Sequence, residues 1–425
     1  MAAHATPGLP ARLLALRLLE RIDEEGTWLS RALGAEAART GLSSVDTGLV
    51  LTLCQSALRR RPALRFVINR CARKGKVPHP VQRVLEIGLV QVLFLDRVPD
   101  HAAVDLAVRS AKKIGHHRHS GLVNGMLRRV IREKESWLER IEHHDGGALL
   151  GPAPDAIFRR WVKHLGLDVA LELQEALAQP AVVDARIDQG SLADWCEQLG
   201  AQPIQGAPER MQLPSGSPTE LPGFAQGAWT IQDRNAARIV PLLPEGGRRI
   251  ADLCAAPGGK TTQIARVHAP EELYAFELHA HRAALVTDAL NRCALNAEVV
   301  VGDAVDLCVE YGPFDRIVLD APCSGLGTLR RHPEIGTRYQ LRALNDSSKT
   351  QSKLLSAAIT ALSPGGFLVY SVCSLEPEEG YAVIAKALAS GGVKLVDDPR
   401  LPGGQGCLGL DGDGDGFFVA ILEKC

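Results

Sequence analysis

IADLCAAPGGKTTQIA, residues 250–265, reads as a strand, a turn of small residues and the start of a helix. Gly258 and Gly259 carry no Cβ, so a ligand can approach the turn backbone and the first amides of the following helix. Working outward, the same rhythm repeats: RRIADLC, ELYAFEL, NAEVVVGD, FDRIVLD and GGFLVYSV are strand-like runs separated by helical stretches. Alternating βα units imply a doubly wound parallel sheet with its ligand at the C-terminal ends of the strands. Acids end three successive strands: Glu277 lies 20 residues after Pro257, where a carboxylate can accept both hydroxyls of a ribose, followed by Asp303 and Asp320. A nicotinamide site is disfavoured because the turn is Ala-Ala-Pro-Gly-Gly with Lys260 opening the helix, not G-x-G-x-x-G.

The fourth strand, RIVLD, runs into Ala-Pro-Cys-Ser and the fifth ends in SVCS, followed by Glu376, Glu378 and Glu379. In a doubly wound sheet these ends are neighbours, so Cys323 and Cys373 are expected over one crevice. A single buried cysteine is ordinarily inert packing. Two Cys-Ser pairs at adjacent strand ends argue for chemistry.

The 425 residues exceed one ordinary core. Residues 10–140 read as five to seven helices. Leu13, Leu14, Leu18 and Leu19 share one face, VQRVLEIGLVQVLFLD is apolar enough to be the central helix, and SGLVNGMLRRVIREKE turns Arg128, Arg129 and Arg132 outward. Breakers such as RRRPA, KVPHP and RVPDH separate them. Residues 1–145 carry a net charge of +9 and the remainder −10, which hides in a total of −1 and suggests a polyanion-binding module on an acidic body. Three segments are expected: a helical domain over 1–145, a small α+β subdomain over 150–235 and the α/β domain over 236–425. No stretch reads as a signal peptide or membrane span, and the ten cysteines lie singly without zinc spacing. Asp411, Asp413, Asp415 and Gly416 imitate a calcium loop, but Leu422 stands at its twelfth position and FFVAIL reads as the last strand. HHRH at 116–119 reads as a solvated basic turn. No metal is expected.

DLCAAPGGKT, DAPCSGLG with RRHPE, and VCS followed by PEE resemble the RNA cytosine-5 methyltransferases. The front 130 residues, ending in GLVNGMLRR, resemble the RNA-binding antitermination factor NusB, which brings the chain closest to the branch acting on small-subunit (16S) ribosomal RNA. The fold class implied is a Rossmann-like methyltransferase domain preceded by a small α+β subdomain and an all-helical NusB-like domain. Amino-group methyltransferases place an aromatic after Asp/Asn-Pro-Pro at the fourth strand; here a cysteine stands there. Cytosine C5 is a poor nucleophile until a thiolate adds to C6. The resemblance assigns that attack to Cys373, product release to Cys323, and support of N3 protonation to Asp320. It assigns the S-adenosylmethionine site to Cys254, Ala255, Ala256, Pro257, Gly258, Gly259, Lys260, Glu277, Asp303 and Asp320.

The remaining expectations are less local. Arg59, Arg60, Arg61, Lys112, Lys113, Arg128, Arg129, Arg330 and Arg331 are candidate RNA contacts on charge. The implied partner is small-subunit ribosomal RNA, and the implied protein a cytoplasmic monomer. Three departures from the family pattern stand out: Val372 replaces a threonine and removes a hydroxyl near the nucleophile, HPEIGTR replaces the usual continuation, and Arg234-Asn235-Ala236 follows QD. Three rivals stay open: a transfer RNA cytosine-5 methyltransferase, a non-catalytic ribosome-assembly factor, and an amino-group or protein methyltransferase.

Overall fold

Fourteen of the sixteen residues of VQRVLEIGLVQVLFLD lie within one helix, His79–Phe94, whose apolar residues from Val81 to Leu93 are buried on every side. The computed structural model describes residues 7–72, 76–412 and 414–425. Around this helix pack Leu9–Glu25, Leu29–Thr40, Ser44–Arg59, Arg61–Cys71, Asp100–Lys113, Ser120–Arg132 and Lys134–Glu142. Among the described residues that makes eight helices where five to seven were expected. The extra division falls at Glu133, inside an amphipathic run with no glycine or proline to announce it. Leu14, Leu18 and Leu19 are buried as their shared face requires, and Leu13 packs partly buried against the same core. No helix among the described residues is long and apolar enough to cross a membrane.

The chain forms two compact units. The first comprises residues 1–180 together with Leu329–Tyr339, and the second Ala181–Thr328 with Gln340–Cys425. The division at 180/181 falls within the segment 150–235: helices Asp155–Leu165 and Leu167–Ala178 go with the helical unit and the strands with the other.

In the second unit β1 (Asp184–Ile187), β2 (Gln202–Pro203), β3 (Arg210–Gln212) and β4 (Trp229–Ile231) make a small antiparallel sheet ordered β2-β3-β1-β4. The large sheet holds β5 (Arg249–Leu253), β6 (Glu272–Glu277), β7 (Glu298–Val301), β8 (Phe314–Asp320), β9 (Leu362–Val372), β10 (Val393–Leu395), β11 (Gln405–Leu408) and β12 (Phe417–Lys424). Its order is β10-β12-β9-β8-β5-β6-β7, with β11 paired to β12. The strands from β9 to β7 are parallel, while β12 runs antiparallel to β9 and carries β10 and β11 antiparallel to itself. The chain runs from β5 outward through β6 to β7, then returns to β8 on the other side of β5. The switch point, where a crevice must open, is therefore between the C-terminal ends of β5 and β8.

Candidate active site

The turn after β5 supplies one wall. Cys254 takes a left-handed backbone, φ 63°, a strained conformation for a residue with a Cβ. Gly258, φ 101°, must be glycine: a Cβ there would lie 3.1 Å from Val286 Cα and 3.0 Å from Ala289 Cβ. The helix Gly259–Val267 starts at once, and Ala256 donates its amide to Glu277 Oε2 at 3.4 Å. Glu277 Oε1 also accepts from His279 N, so this buried acid is already oriented at the end of β6. Asp303 is exposed and caps the helix Ala304–Tyr311 by accepting from Val305 N.

Lys260 does not face solvent. Its Nζ lies 2.6 Å from Asp320 Oδ2 and over the Phe417 ring. Burial would lower the ammonium's pKa, but Asp320 outweighs it and the net direction is up. Asp320 Oδ1 accepts from Ser371 Oγ at 3.0 Å. Ser371 lies opposite Asp320 in the β8–β9 register, so strand alternation alone brings the hydroxyl to the acid.

The two cysteines meet: Cys323 Sγ and Cys373 Sγ are 3.2 Å apart. The contact with Cys373 and burial both push the Cys323 thiol well up, and either sulfur can donate across the contact. Behind Cys373, Gly327 N donates to the Cys373 carbonyl at 3.0 Å, and Gly416 N donates to Gly327 O at 2.8 Å. A Cβ on Gly327 would sit 1.9 Å from Gly416 O. The glycine is thus what lets three backbone segments close behind one thiol.

Two site residues escaped the sequence reading. Asp252, two residues before Cys254 on β5, is sealed from solvent with Oδ2 held by Thr261 Oγ1 at 2.6 Å and Oδ1 without a hydrogen-bond partner. Burial, aided by Asp320 and Glu277, pushes its carboxyl up to about 7. Its place in DLC, just ahead of the turn, was the available signal. Gln351, on the helix Leu341–Ala361, donates to Pro322 O at 2.9 Å, and no local pattern marks it.

Of the departures from the family pattern, Val372 is wholly buried in the apolar cluster with Leu319, Tyr370 and Phe418. A hydroxyl there would lie in that core, which corrects the expectation that Val372 strips one from the nucleophile's surroundings. Arg234 pairs with Asp184 and Asn235 holds Asp415 O, tying the small sheet to the loop before β12. That loop is the calcium imitation, of which Asp413 lies outside the described residues. Among the described residues no cluster of three or more His, Cys, Asp or Glu is arranged to hold a metal. HPEIGTR belongs to the helical unit: Glu334 is buried and accepts from Leu29 N, His332 meets the Trp28 ring edge-on, and Arg338 lies over it.

The arginine set needs correction. Arg61 is buried between Asp23, 2.6 Å away, and Glu86, 3.0 Å away, and Arg59 is buried with Nε on Arg330 O. Arg60 donates to Leu150 O and lies over Phe94. RRR reads as a surface patch, but it falls where two helices join, and two acids on Arg61 and backbone carbonyls on Arg59 and Arg60 hold the guanidinium groups. Arg330 and Arg331 are half-buried, with Arg330 Nε on Pro180 O. Lys112, Lys113 and Arg128 are exposed and Arg129 half-exposed.

Asp252, Glu277 and Asp320 lie close enough to influence one another's charge, with Lys260 bonded to one and the half-exposed Arg282 3.8 Å from another. Such an acid-rich crevice, with one buried carboxylate oxygen lacking a donor, fits a cofactor that carries both a sulfonium and an ammonium.

Comparison with known proteins accords with this chemistry. A family model described as 16S rRNA methyltransferase RsmB/F matches residues 239–423, and the NusB family model matches 9–132. The chain is 34% identical over 430 residues to ribosomal RNA small subunit methyltransferase B of Klebsiella pneumoniae, covering 97% of this chain and 98% of that protein. The protein of the same name from Escherichia coli O1:K1 is 33% identical with the same coverage. Among solved structures, that of PH0851 covers 99% of both chains with a TM-score of 0.77 at 22% identity, a likeness of fold. A methyltransferase homolog protein from Pyrococcus horikoshii gives 0.57 at 28% identity over 66% of this chain and 98% of that one. Fold and crevice together define a methyltransferase that uses S-adenosylmethionine. The chain belongs to the RsmB/F family of 16S ribosomal RNA methyltransferases, with a NusB-type domain in its N-terminal part.

Proposed function

We propose that this protein methylates C5 of a cytosine in small-subunit ribosomal RNA through a covalent bond between Cys373 Sγ and C6 of the base. The observation that carries the reading is the 3.2 Å contact of two thiols at the ends of β8 and β9, beside the Lys260–Asp320 pair. An amino-group methyltransferase has no use for paired thiols.

The Cys373 thiolate, hydrogen-bonded by the protonated Cys323, adds to C6. The S–C6 bond forms, the C5–C6 π electrons move through the ring toward N3, and the proton shared by Lys260 and Asp320 meets that charge. S-adenosylmethionine, when bound, supplies the electrophilic methyl group that C5 takes up. For release, the C5 proton must leave to a base, its electrons re-form the C5–C6 double bond, Cys373 departs as a thiolate, and the N3 proton returns to the Lys260–Asp320 pair. Cys323 stabilises that departing thiolate through the same S–H contact. Lys112, Lys113, Arg128 and Arg129 are proposed to supply phosphate contacts from the helical segment, while 150–235 helps position the RNA for the domain beginning at 236.

The test uses small-subunit RNA fragments containing 5-fluorocytidine, with S-adenosylmethionine and the wild type, Cys373→Ala or Cys323→Ala. Fluorine at C5 cannot leave as a proton, so the adduct stalls and survives denaturing electrophoresis. An adduct from the wild type and Cys323→Ala, absent in Cys373→Ala, is expected. Loss only in Cys323→Ala reverses the two roles. An adduct on transfer RNA alone moves the substrate, and none on any RNA, despite cofactor binding, favours a non-catalytic assembly factor.

A further inference from the structure

Between β9 and the helix Tyr381–Ala389 stands Glu379, wholly buried. Its Oε1 accepts from Ser324 N at 2.8 Å and from Gln351 Nε2 at 3.2 Å; its Oε2 accepts from Ser324 Oγ at 2.5 Å. The same Gln351 nitrogen donates to Pro322 O. The carbonyl of Glu379 is held in turn by the Tyr370 hydroxyl at 2.7 Å. Cys323 is therefore clamped from both sides, through the carbonyl before it and the amide after it, by one carboxylate and the amide side chain bonded to it. Ser324 Oγ also reaches Ser374 Oγ at 3.2 Å, so the clamp spans the residues following both cysteines.

Enclosing a carboxylate among neutral donors is costly, and a hydrophobic or amide side chain of similar size fills such a space at lower cost. A charge kept there does something that shape alone does not. Its field also helps keep the proton on Cys323.

We infer that Glu379 is a positioning residue for product release, holding the Pro322–Ser324 loop so that the Cys323 thiol stays directed at Cys373. This rests on the adduct mechanism proposed above. Forming the S–C6 bond needs Cys373, whose carbonyl is held separately by Gly327. Breaking it needs Cys323 in register. Glu379 should therefore govern the second step far more than the first.

The experiment uses the full-length protein with ordinary, unfluorinated RNA, comparing the wild type with Glu379→Gln, Glu379→Asp and Gln351→Met. Single-turnover methyl transfer and the covalent complex on denaturing gels are followed beside steady-state turnover. Loss of a charge-assisted pair of hydrogen bonds corresponds to roughly a ten- to hundredfold drop in the step it supports. For Glu379→Gln the expected result is that drop in turnover, a covalent complex absent from the wild type, and single-turnover transfer reduced no more than about threefold. Glu379→Asp should recover part of the turnover by restoring the charge, and Gln351→Met should show a weaker form of the same split. Wild-type turnover in Glu379→Gln overturns the inference, as does equal loss of transfer and release. If Glu379→Gln does not fold, Gln351→Met decides alone: an accumulating complex supports the clamp, and an unchanged gel refutes it. Absence of any adduct from wild type on fluorinated RNA defeats the underlying mechanism instead, so the two failures are distinguishable.

Discussion

Asp252→Asn offers a test of the crevice electrostatics whose sign follows from one buried proton. Burial is the largest influence on this carboxyl, Asp320 and Glu277 add to it, and Thr261 and Lys260 oppose; the result is about 7 against an ordinary 3.8. Between about pH 4 and pH 7 the folded protein keeps a proton that the unfolded chain has lost, so stability falls as pH rises through that window and levels off above it. About three units at ~1.4 kcal/mol each set a ceiling of ~4 kcal/mol. Asparagine retains an acceptor for Thr261 but does not ionise. It leaves an unpartnered amide where Oδ1 stands, a pH-independent cost of ~1–3 kcal/mol. The decisive quantity is therefore the change with pH of the melting-temperature difference between variant and wild type, without cofactor. That difference should move in the variant's favour from pH 5 to pH 8, by roughly 5–10 °C at ~2–4 °C per kcal/mol. In the same variant S-adenosylmethionine binding at pH 8 should weaken, because one of three negative charges facing a cation is gone. A difference constant with pH, or moving the other way, would refute the argument that Asp252 is held protonated by burial.

Gly327→Ala should abolish methylation with the protein still folded, because its Cβ must displace Gly416 O at 1.9 Å and with it the backing of Cys373; adduct yield on fluorinated RNA reads this directly. Lys260→Met removes the only cation bonded to Asp320 among its described contacts and should lower single-turnover methyl transfer by roughly a hundredfold while cofactor still binds, measured by rapid quench and calorimetry. Arg61→Leu leaves Glu86 buried without its closest partner and should cost ~3–5 kcal/mol in denaturant unfolding, with no selective effect on the salt dependence of RNA binding. Lys112→Glu with Arg128→Glu should do the reverse, lowering RNA affinity and the slope of log K against log salt at an unchanged melting temperature.

Features carried by neighbours in the chain were legible in the sequence. Strand-like runs alternating with helical stretches placed β5 to β9, small residues marked the turn at 254–259, and strand ends named Glu277, Asp303, Asp320, Cys323 and Cys373. Strand order did not follow from succession alone, since β8 returns beside β5 and not beside β7. Nor were charged side chains that travel far to their partners legible. Arg59 and Arg61 look like solvent-facing charge, yet their partners lie as many as 271 residues away. Lys260 reads as a residue of the cofactor turn, but its pairing with Asp320, 60 residues on, is not written beside it in the chain.

Sequence by itself determined the class of chemistry: a doubly wound sheet with a glycine turn, ordered acids and two cysteines at neighbouring strand ends. These depend on local backbone geometry and on the period of side chains along a strand, both written within a few residues. Only the tertiary structure decided that the thiols touch, that Glu379 and Gln351 grip the loop carrying one of them, that Asp252 is sealed with an unmet oxygen, and that HPEIGTR joins the helical unit. The reason is that burial and charge pairing are set by what folds over a residue from elsewhere in the chain, and a guanidinium or carboxylate carries no mark in the sequence of whether water or a distant partner will meet it.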